Sequence, residues 1–422
     1  MTRTAYVFIY LPGQTQPIVA GRFDLEDAIS PQLGQFVYAQ SYLDNPAALP
    51  LDPIALPLKA ELFKTTLSSG FFGVFRDAIP DDWGRHVAAR LHGDAFQTDF
   101  DYLFLATADR IGALAFGRAA DTPTKEPELL RWKDLQESVL LDALSKIERD
   151  APLSTPERQA ALVFRAGTSA GGARPKVTVQ RHDGIWLAKL NRHNDKWNVV
   201  RVEAAMLDLA GACGIEVPEH RLERLQRQDV LLVKRFDRLV ESDGIRRHRM
   251  VSAATLFQAD EAAARFSYTG SYPRLSRELA RWTVSGTEDR HQLLRRIAFN
   301  SLCSITDDHE RNHALVADGT HFRLSPAFDL VPQPSNTRRR LQALSIGHFG
   351  AIAARENLLS GSEAFLLSRA QANAIIDEVQ TVVSRDWRKC CAARRVSSAD
   401  VQKIQDCFNP TGFEDAPPQT VM

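Results

Sequence analysis

The pattern of apolar and polar positions divides the chain into regions of different secondary structure. Residues 1 to about 120 alternate short apolar runs, typical of strands, with Gly and Pro punctuation, and then show helical periodicity. The opening run AYVFIYL lasts seven residues and ends at a Pro-Gly pair, so it predicts a strand and not a signal peptide. In PDDWGRHVAARL the apolar residues share one helix face, and Asp81 or Asp82 can cap the first turn. A small α/β domain is therefore predicted over residues 1–120.

A polar, Pro-containing stretch, AADTPTKEPE, follows and has the composition of a linker. Beyond it, DLQESVLLDALSKIERD predicts a helix, and VTVQRHDGIWLAKL predicts two strands joined by a tight turn. VVRVEAAMLDLAGACG predicts a helix and QDVLLVKRFDRLV a buried strand. From about Ser252 the patterns are helical except over 312–330. We predict an α+β protein with regions at 1–120, 130–245 and 246–408, and a disordered tail at 409–422.

Composition sets limits on the class of protein. A length of 422 residues with 44% apolar and 25% charged residues is typical of two or three globular domains. Lys+Arg and Asp+Glu number 52 each, and a formal net charge of zero argues against nucleic-acid binding by bulk phosphate neutralisation. The five cysteines lack CxxC spacing, so they indicate thiols in a reducing compartment. Because no apolar run reaches about 18 residues, a cytoplasmic protein without a membrane segment is expected.

The segment ITDDHERNHALVADGTHFRLSPAFDL (305–330) contains several candidate catalytic and metal-binding side chains. It places Asp307, His309 and Asn312 in a short polar loop, and Asp329 follows seventeen residues beyond Asn312. An Asp and an Asn five residues apart, followed by a second Asp, suit phosphoryl transfer. In that arrangement one carboxylate orients or deprotonates a hydroxyl, while the amide and the second carboxylate hold magnesium against the phosphates.

Two other interpretations of this segment remain open at the level of sequence. The loop can be an ordinary polar turn satisfied by its own Asx hydrogen bonds. Alternatively, Asp307, Asp308, His309 and His313 can bind a transition metal, because imidazole and carboxylate are common ligands. No other His pair lies nearby in sequence to complete such a site. The upstream residues are therefore needed to decide between the three.

Lys189 stands within an apolar strand pattern, where a lysine normally needs a partner or a function. Glu203, fourteen residues later in the first turn of the next helix, is a candidate partner. A strand lysine held by a helical glutamate contacts the α- and β-phosphates in the kinase fold. Taken alone, the residue is better explained as a lysine that extends to water from an edge strand.

Two further stretches suit a nucleotide without being specific for one. The turn AGTSAGGARPK (166–176) fails as a Walker motif, because Lys176 stands four residues after Gly172. Its backbone amides can still cradle phosphates, although a tight hairpin also explains the glycines. The strand VLLVKRFDR ends in a connection that can expose backbone groups to an adenine edge, with Asp237 near the ribose, or it is merely the end of a strand.

Taken in order, these motifs resemble the HipA family, the bacterial toxin kinases of type II toxin–antitoxin modules. FVYAQSYL, FFGVFRDAIPDDWGR and ADRIGALAFG are similar to the first domain of that family, and the resemblance extends to about residue 350. It implies a protein-kinase-like two-lobed catalytic core with an all-helical C-terminal lobe and a small α/β N-terminal domain. The N-lobe then corresponds to residues 130–245 and the C-lobe to 246–408.

The resemblance also assigns roles to single residues. Asp307 is implied as the catalytic aspartate, and Asn312 and Asp329 as magnesium ligands. The residues implied at the nucleotide are Lys189, Glu203, Lys234, Arg235, Phe236, Asp237, His309, Gly171 and Gly172. Ser169, with Thr168 as an alternative, is the implied autophosphorylation site, whose added charge of about −1.5 to −2 would dislodge the loop.

The function that the resemblance implies is a Mg-ATP-dependent serine/threonine protein kinase acting as a toxin. Its implied substrate is an aminoacyl-tRNA synthetase or another translation protein. Its implied partner is a helix-turn-helix antitoxin, with DNA reached only through that antitoxin and with no membrane involved. Two alternatives stay open: a catalytically idle relative that serves as a scaffold for an antitoxin–DNA complex, and a kinase for a small molecule.

Overall fold

The structure is a computed structural model, and it describes most of the chain. The described residues are 2–93, 98–105, 109–124, 129–136, 139–165, 172, 174–260 and 270–416. They form an N-terminal domain and two lobes, which confirms the predicted α+β class and the two-lobed core.

The N-terminal domain is built on a five-stranded antiparallel sheet with an aromatic core. In spatial order its strands are Phe63–Thr65, Leu33–Tyr38, Ile18–Glu26, Thr2–Ile9 and Leu114–Gly117. Its helices are Gln40–Leu43, Gly73–Asp77, Asp82–His92 and Asp99–Leu105, with a 3₁₀ turn at Leu67–Gly70. Phe75 packs edge-on against Phe23 and Phe116 at centroid distances of 5.2 and 5.6 Å. Such aromatic pairs stabilise a core beyond their buried area.

The helix Asp82–His92 begins as its sequence predicts. The side chain of Asp81 accepts a hydrogen bond from the Gly84 amide at 3.4 Å and so caps the first turn. Its apolar face, however, is buried outside its own domain. Trp83 packs edge-on against Phe164 at 6.0 Å, and Arg158 donates to the Leu91 carbonyl at 3.0 Å. The helix therefore fastens the N-terminal domain to the first lobe.

The first lobe contains a second five-stranded sheet. Its strands, in spatial order, are Leu130–Arg131, Lys176–Arg181, Gly184–Leu190, Gln228–Lys234 and His220–Leu225. Its helices are Val139–Glu148, Thr155–Ala161 and Val199–Ala212, with 3₁₀ turns at Trp132–Gln136 and Leu162–Arg165. The helix Val199–Ala212 packs on this sheet and presents Glu203 to it. A two-stranded ribbon, Arg238–Glu241 with Gly244–Arg247, leads out of the lobe.

The second lobe is mainly helical, but it also carries a three-stranded sheet, which corrects the expectation of an all-helical lobe. The helices are Ala253–Leu256, Tyr272–Trp282, Gly286–Leu302, Arg355–Ser360, Arg369–Ala393 and Ser398–Ile404, with 3₁₀ turns at Glu310–Asn312, Ser362–Phe365 and Gln405–Cys407. The strands are Arg249–Ser252, Ala314–Asp318 and His321–Leu324. They form because the apolar residues Leu315, Ala317, Phe322 and Leu324 bury one face of a tight hairpin.

The prediction of a disordered tail over 409–422 is wrong for residues 409–416. A 3₁₀ turn at Thr411–Glu414 buries Phe413 to 1% exposure. Glu414 pairs with Arg355 at 2.9 Å and Asp415 with Arg338 at 2.6 Å. One apolar anchor and two ion pairs thus hold a segment whose composition suggested disorder.

Two further observations concern the cysteines and the helices. All five cysteines lie in the described part of the chain and none forms a disulfide. No helix among the described residues is long and apolar enough to cross a membrane.

Candidate functional site

Lys189 lies at the centre of a cluster of charges between the two lobes. Its Nζ donates to Glu203 Oε1 at 2.6 Å and to Asp329 Oδ1 at 3.0 Å. Burial opposes the charge of this ammonium, but the two carboxylates outweigh it and raise the pKa of Lys189. The predicted pairing of Lys189 with Glu203 is therefore present, and Asp329 from the second lobe completes the contact.

Asp329 has the backbone and side-chain properties of a constrained functional residue. Its φ of +60° lies in the left-handed region, which non-glycine residues occupy at an energetic cost. Burial works against ionisation of the carboxyl, but Lys189, Lys176 and His309 together lower the pKa of Asp329 to about 2. Its side chain remains 33% exposed. The carboxylate is thus ionised and accessible from the cleft.

The loop after helix Gly286–Leu302 is anchored by a buried aspartate. Asp308 accepts hydrogen bonds from Asn300 Nδ2 at 2.7 Å, from the Tyr272 hydroxyl, and from His313 Nε2 at 3.0 Å when that nitrogen carries the proton. Against the effect of burial, His313 and these hydrogen bonds lower the pKa of Asp308. The anchor fixes the backbone of the loop, so the neighbouring Asp307 is presented to solvent at a set position.

Asp307, His309 and Asn312 meet on the cleft side of this loop. The Asn312 side-chain amide donates to the Asp307 carbonyl at 3.0 Å, which leaves the Asn312 side-chain oxygen as its remaining ligand atom. Partial desolvation, with Asp329 and Asp308, raises the pKa of Asp307, and His309 opposes this rise. His309 also lowers the pKa of Asp329.

The transition-metal interpretation is not supported by the arrangement of side chains. Asp308 and His313 are 4% and 2% exposed and are engaged with each other, whereas Asp307 faces the cleft. Within the described ranges, no group of three His, Cys, Asp or Glu side chains could hold a metal ion. Asp308 and His313 instead serve the architecture of the loop.

Residues 234–237, the last residue of strand Gln228–Lys234 and the turn that follows it, send their side chains to two opposite sides. Lys234 pairs with Glu219 at 2.9 Å, and the ring of Phe236 lies 5.9 Å from that of Phe328, the neighbour of Asp329. Arg235 and Asp237 point the other way, into the N-terminal domain. Phe236 is therefore the residue of this segment that borders the cleft next to Asp329.

Asp237 differs most from its predicted place beside a ribose. It is 4% exposed and accepts a bidentate pair of bonds from Arg235, at 2.9 and 2.8 Å, and one from Arg238 at 2.8 Å. The Gly112 amide of the N-terminal domain also donates to it at 2.9 Å. Arg235 in turn pairs with Asp109. Both Asp237 oxygens are thus occupied in a buried network, defined here as the interface network of Asp109, Arg235, Asp237 and Arg238.

Within the glycine-rich stretch, Gly172 lies beside the cleft. Its φ is +87°, and a Cβ built on it would lie 3.3 Å from Lys176 Nζ and 3.8 Å from Asp329 Oδ2. Gly172 therefore keeps this space open between the two side chains. Thr168, Ser169 and Gly171 lie outside the described residues.

Sequence reasoning missed several residues that shape the site. Lys176 is 1% exposed and lies directly across the ladder from Lys189, and its Nζ is 3.6 Å from Asp81 Oδ2. Tyr272 and Asn300 anchor Asp308. The signal for Asn300 was its spacing, eight residues before Asp308 on the helix that feeds the loop. The sequence carries no comparable signal for Asp81 or Tyr272.

The fold and the site define the class of protein: it is kinase-like, with two lobes and an added N-terminal domain. Models of two families match the chain, the HipA-like C-terminal domain over residues 168–387 and the HipA N-terminal domain over residues 18–117. The chain therefore belongs to the HipA family.

Individual relatives are more distant. The chain is 25% identical, over 315 residues, to the putative kinase Y4mE of Sinorhizobium fredii, covering 70% of this chain and 71% of that protein. Its fold is similar to a chain in the complex of the Shewanella oneidensis MR-1 toxin–antitoxin proteins HipA and HipB with operator DNA. That match has a TM-score of 0.66 at 15% identity and covers 95% of this chain and 94% of the other. A match to the Helicobacter pylori proinflammatory kinase CtkA has a TM-score of 0.39 at 11% identity, covering 57% and 92% of the two chains.

Proposed function

We propose that the protein is a Mg-ATP-dependent serine/threonine protein kinase. One observation carries the proposal: Lys189, Glu203 and Asp329 meet through contacts of 2.6 and 3.0 Å across the two lobes. A lysine held by a helical glutamate next to a metal-binding aspartate is the arrangement that positions nucleotide phosphates in kinases. The alternative of an idle scaffold does not account for an ionised and accessible Asp329 beside that lysine.

The residues present fit magnesium and ATP. Asp329 and Asn312 supply carboxylate and amide oxygens, the hard ligands that magnesium takes. Gly172 leaves open the space between Lys176 and Asp329 that a side chain would fill. When bound, magnesium would neutralise phosphate charge. Lys189 would bind the phosphates, and Phe236 beside Phe328 would offer an apolar surface to the base.

Asp307 is the proposed proton acceptor. It is exposed on a loop whose backbone Asp308 fixes, so a substrate hydroxyl can approach its carboxylate. Its raised pKa makes it a somewhat stronger base than an ordinary aspartate. Its role is to orient the hydroxyl and to take its proton.

The biological role proposed is that of a toxin neutralised by a helix-turn-helix antitoxin. The similarity in fold to a complex of HipA and HipB with operator DNA supports this partner, with DNA reached through the antitoxin. The proposed substrate is an aminoacyl-tRNA synthetase or another translation protein. Autophosphorylation is proposed at Ser169, with Thr168 as the alternative.

The test is incubation of the purified protein with labelled ATP and magnesium, followed by mapping of the label. Label on Ser169 or Thr168 is expected from the wild type and its loss from Asp307→Asn and Asp329→Asn. Asp318→Asn, at a side chain 96% exposed, is the matched control and should label normally. Absence of label from the wild type, or full label in both cleft variants, would refute the proposal. Label transferred in a lysate to a small molecule and to no protein would favour a small-molecule kinase instead.

A further inference from the structure

Lys176 and Lys189 form an unusual pair in the middle of the first-lobe sheet. They stand directly opposite each other on neighbouring antiparallel strands, so both side chains project from the same face. Like charges in this relation destabilise a sheet. Both are also buried, at 1% and 8% exposure. The fold therefore maintains two adjacent ammonium groups at an energetic cost.

Each ammonium has its own carboxylate partner. Lys189 is compensated by Glu203 and Asp329. Lys176 donates to the Gly172 carbonyl at 2.7 Å and has Asp81 Oδ2 3.6 Å from its Nζ. Both carboxylate partners of Lys189 thus come from the two kinase lobes, whereas the carboxylate next to Lys176 comes from the N-terminal domain.

Asp81 is held in a position from which it can act on Lys176. It caps helix Asp82–His92, which is fixed to the first lobe by Trp83 against Phe164 and by Arg158 bonded to Leu91. Its Oδ2 is enclosed and accepts no hydrogen bond from the described residues. Burial raises the pKa of Asp81, and Lys176 is the largest opposing influence. A cap needs one side-chain oxygen, so the second is available to orient the lysine.

The position of Lys176 suits a phosphate. Its Nζ and Asp329 Oδ2 both lie within 4 Å of the point where a Cβ on Gly172 would stand, so the open space beside the proposed magnesium ligand is bordered by this lysine. Ammonium groups bind phosphate oxygens through charge-assisted hydrogen bonds. A polyanion placed there would relieve the repulsion between the two lysines.

We infer that the N-terminal domain takes part in nucleotide binding: Lys176 is a second phosphate-contacting lysine, and Asp81 is the positioning residue that holds it. The inference rests on the proposed function and adds to it a route by which the N-terminal domain influences the phosphates. A shift of helix Asp82–His92 would move Asp81 relative to Lys176 and so change the affinity for ATP.

Calorimetric titration of the full-length protein with Mg-ATP and, separately, with adenosine tests the inference. Lys176→Met is expected to weaken Mg-ATP binding about tenfold or more, since it removes a charge-assisted contact, and to leave adenosine affinity unchanged. Asp81→Asn keeps the helix cap and removes the charge, so a weakening of about threefold is expected, with a rise in KM for ATP larger than the change in kcat. Asp82→Asn, at the next and exposed residue, is the matched control and should bind like the wild type.

The double variant shows whether Asp81 acts through Lys176. If it does, Asp81→Asn has no further effect in the Lys176→Met background, because residues in one network are not additive. Additive losses, equal losses for adenosine and Mg-ATP, or an Asp81→Asn protein that binds like Asp82→Asn would each overturn the inference. Should Lys176→Met not fold, the comparison of Asp81→Asn with Asp82→Asn decides alone. A wild type that binds neither ligand would instead refute the proposed function.

Discussion

The cleft and the domain interface each contain a network of opposite charges, and the two networks differ in access. In the interface network the four charged residues are all less than 9% exposed, and Asp237 receives donors from Arg235, Arg238 and the Gly112 amide. In the cleft, Lys189 and Glu203 are also buried, but Asp329 is one-third exposed and Asp307 is exposed. Glu203 Oε2 also receives no donor from the described residues.

The difference separates a structural use of charge from a functional one. Buried charges are tolerated when each is paired and hydrogen-bonded, as they are at the interface. A network that is left open to solvent and to ligands has not used its full bonding capacity in the folded protein. On this argument, damage to the interface network should lower stability, and damage to the cleft should lower activity.

The largest expected effect is on the rate of phosphoryl transfer in Asp307→Asn. Loss of the proton acceptor should reduce the initial rate about 10²–10⁴-fold. The side chain is exposed, so the midpoint of thermal unfolding should stay at the wild-type value. Initial rates and a melting curve on the same preparation check both parts. A variant with normal rates, or one that melts early, would contradict the division between the two networks.

Asp237→Asn should show the opposite behaviour. Removing this charge leaves Arg238 buried without its carboxylate and leaves Arg235 with Asp109 alone. The loss should cost about 3–5 kcal/mol of unfolding free energy. The rate per folded molecule should fall much less than in Asp307→Asn. Chemical denaturation measures the loss, and Asp415→Asn, at a surface ion pair, is the matched control and should unfold like the wild type. A ribose-binding role for Asp237 would instead appear as a raised KM for ATP with unchanged stability.

Lys189→Met should moderately lower both the thermal stability of the protein and its affinity for Mg-ATP. Glu203 loses its buried partner, so the ligand-free protein should melt earlier. The phosphate contact is lost too, so Mg-ATP affinity should fall by roughly ten- to a hundredfold and the stabilisation by Mg-ATP should shrink. Melting curves with and without Mg-ATP give both values. Lys389→Met, whose side chain is 70% exposed, should match the wild type in both measurements.

The smallest expected effect is a pH dependence that arises from Asp329. Its pKa is lowered from 3.8 to about 2 in the folded protein. A depressed pKa adds stability above the ordinary value, and that stability is lost as the pH falls from 3.8 towards about 2. Asp329→Asn lacks this pH-dependent contribution to stability, so it should lose less unfolding free energy on acidification. Parallel slopes for both proteins in denaturation at several acid pH values would show that the carboxyl is not coupled to Lys189.

The sequence predicted most elements because their apolar periods are clear and their caps are local. The Lys189–Glu203 contact was also predictable, since a strand followed by the next helix brings these two positions together. For Asp237 the preceding strand is predictable, but which side of the following turn faces the cleft depends on how the N-terminal domain packs. The Asp81–Lys176 contact could not be predicted from the sequence, because it forms only when helix Asp82–His92 packs against Phe164.

The tail illustrates a different limit. Its Pro, Gly and acidic residues are typical of disorder, and the anchoring groups Arg338 and Arg355 lie far away in the chain. Composition counts such residues but does not show which distant surface complements them. The three-stranded sheet in the second lobe is similar, because Arg249–Ser252 joins a hairpin more than sixty residues later.

The buried, unpaired cysteines have a practical consequence for labelling chemistry. Burial raises the pKa of Cys213, Cys391 and Cys407 to about 12, 11 and 12, so their reactive thiolate forms are scarce at neutral pH. The same effect raises the pKa of Cys303 and of the half-buried Cys390. A cysteine introduced at an exposed position such as Asp318 should therefore react with maleimide dyes well before the native thiols. Fluorescent reporters can accordingly be attached to the otherwise unmodified chain.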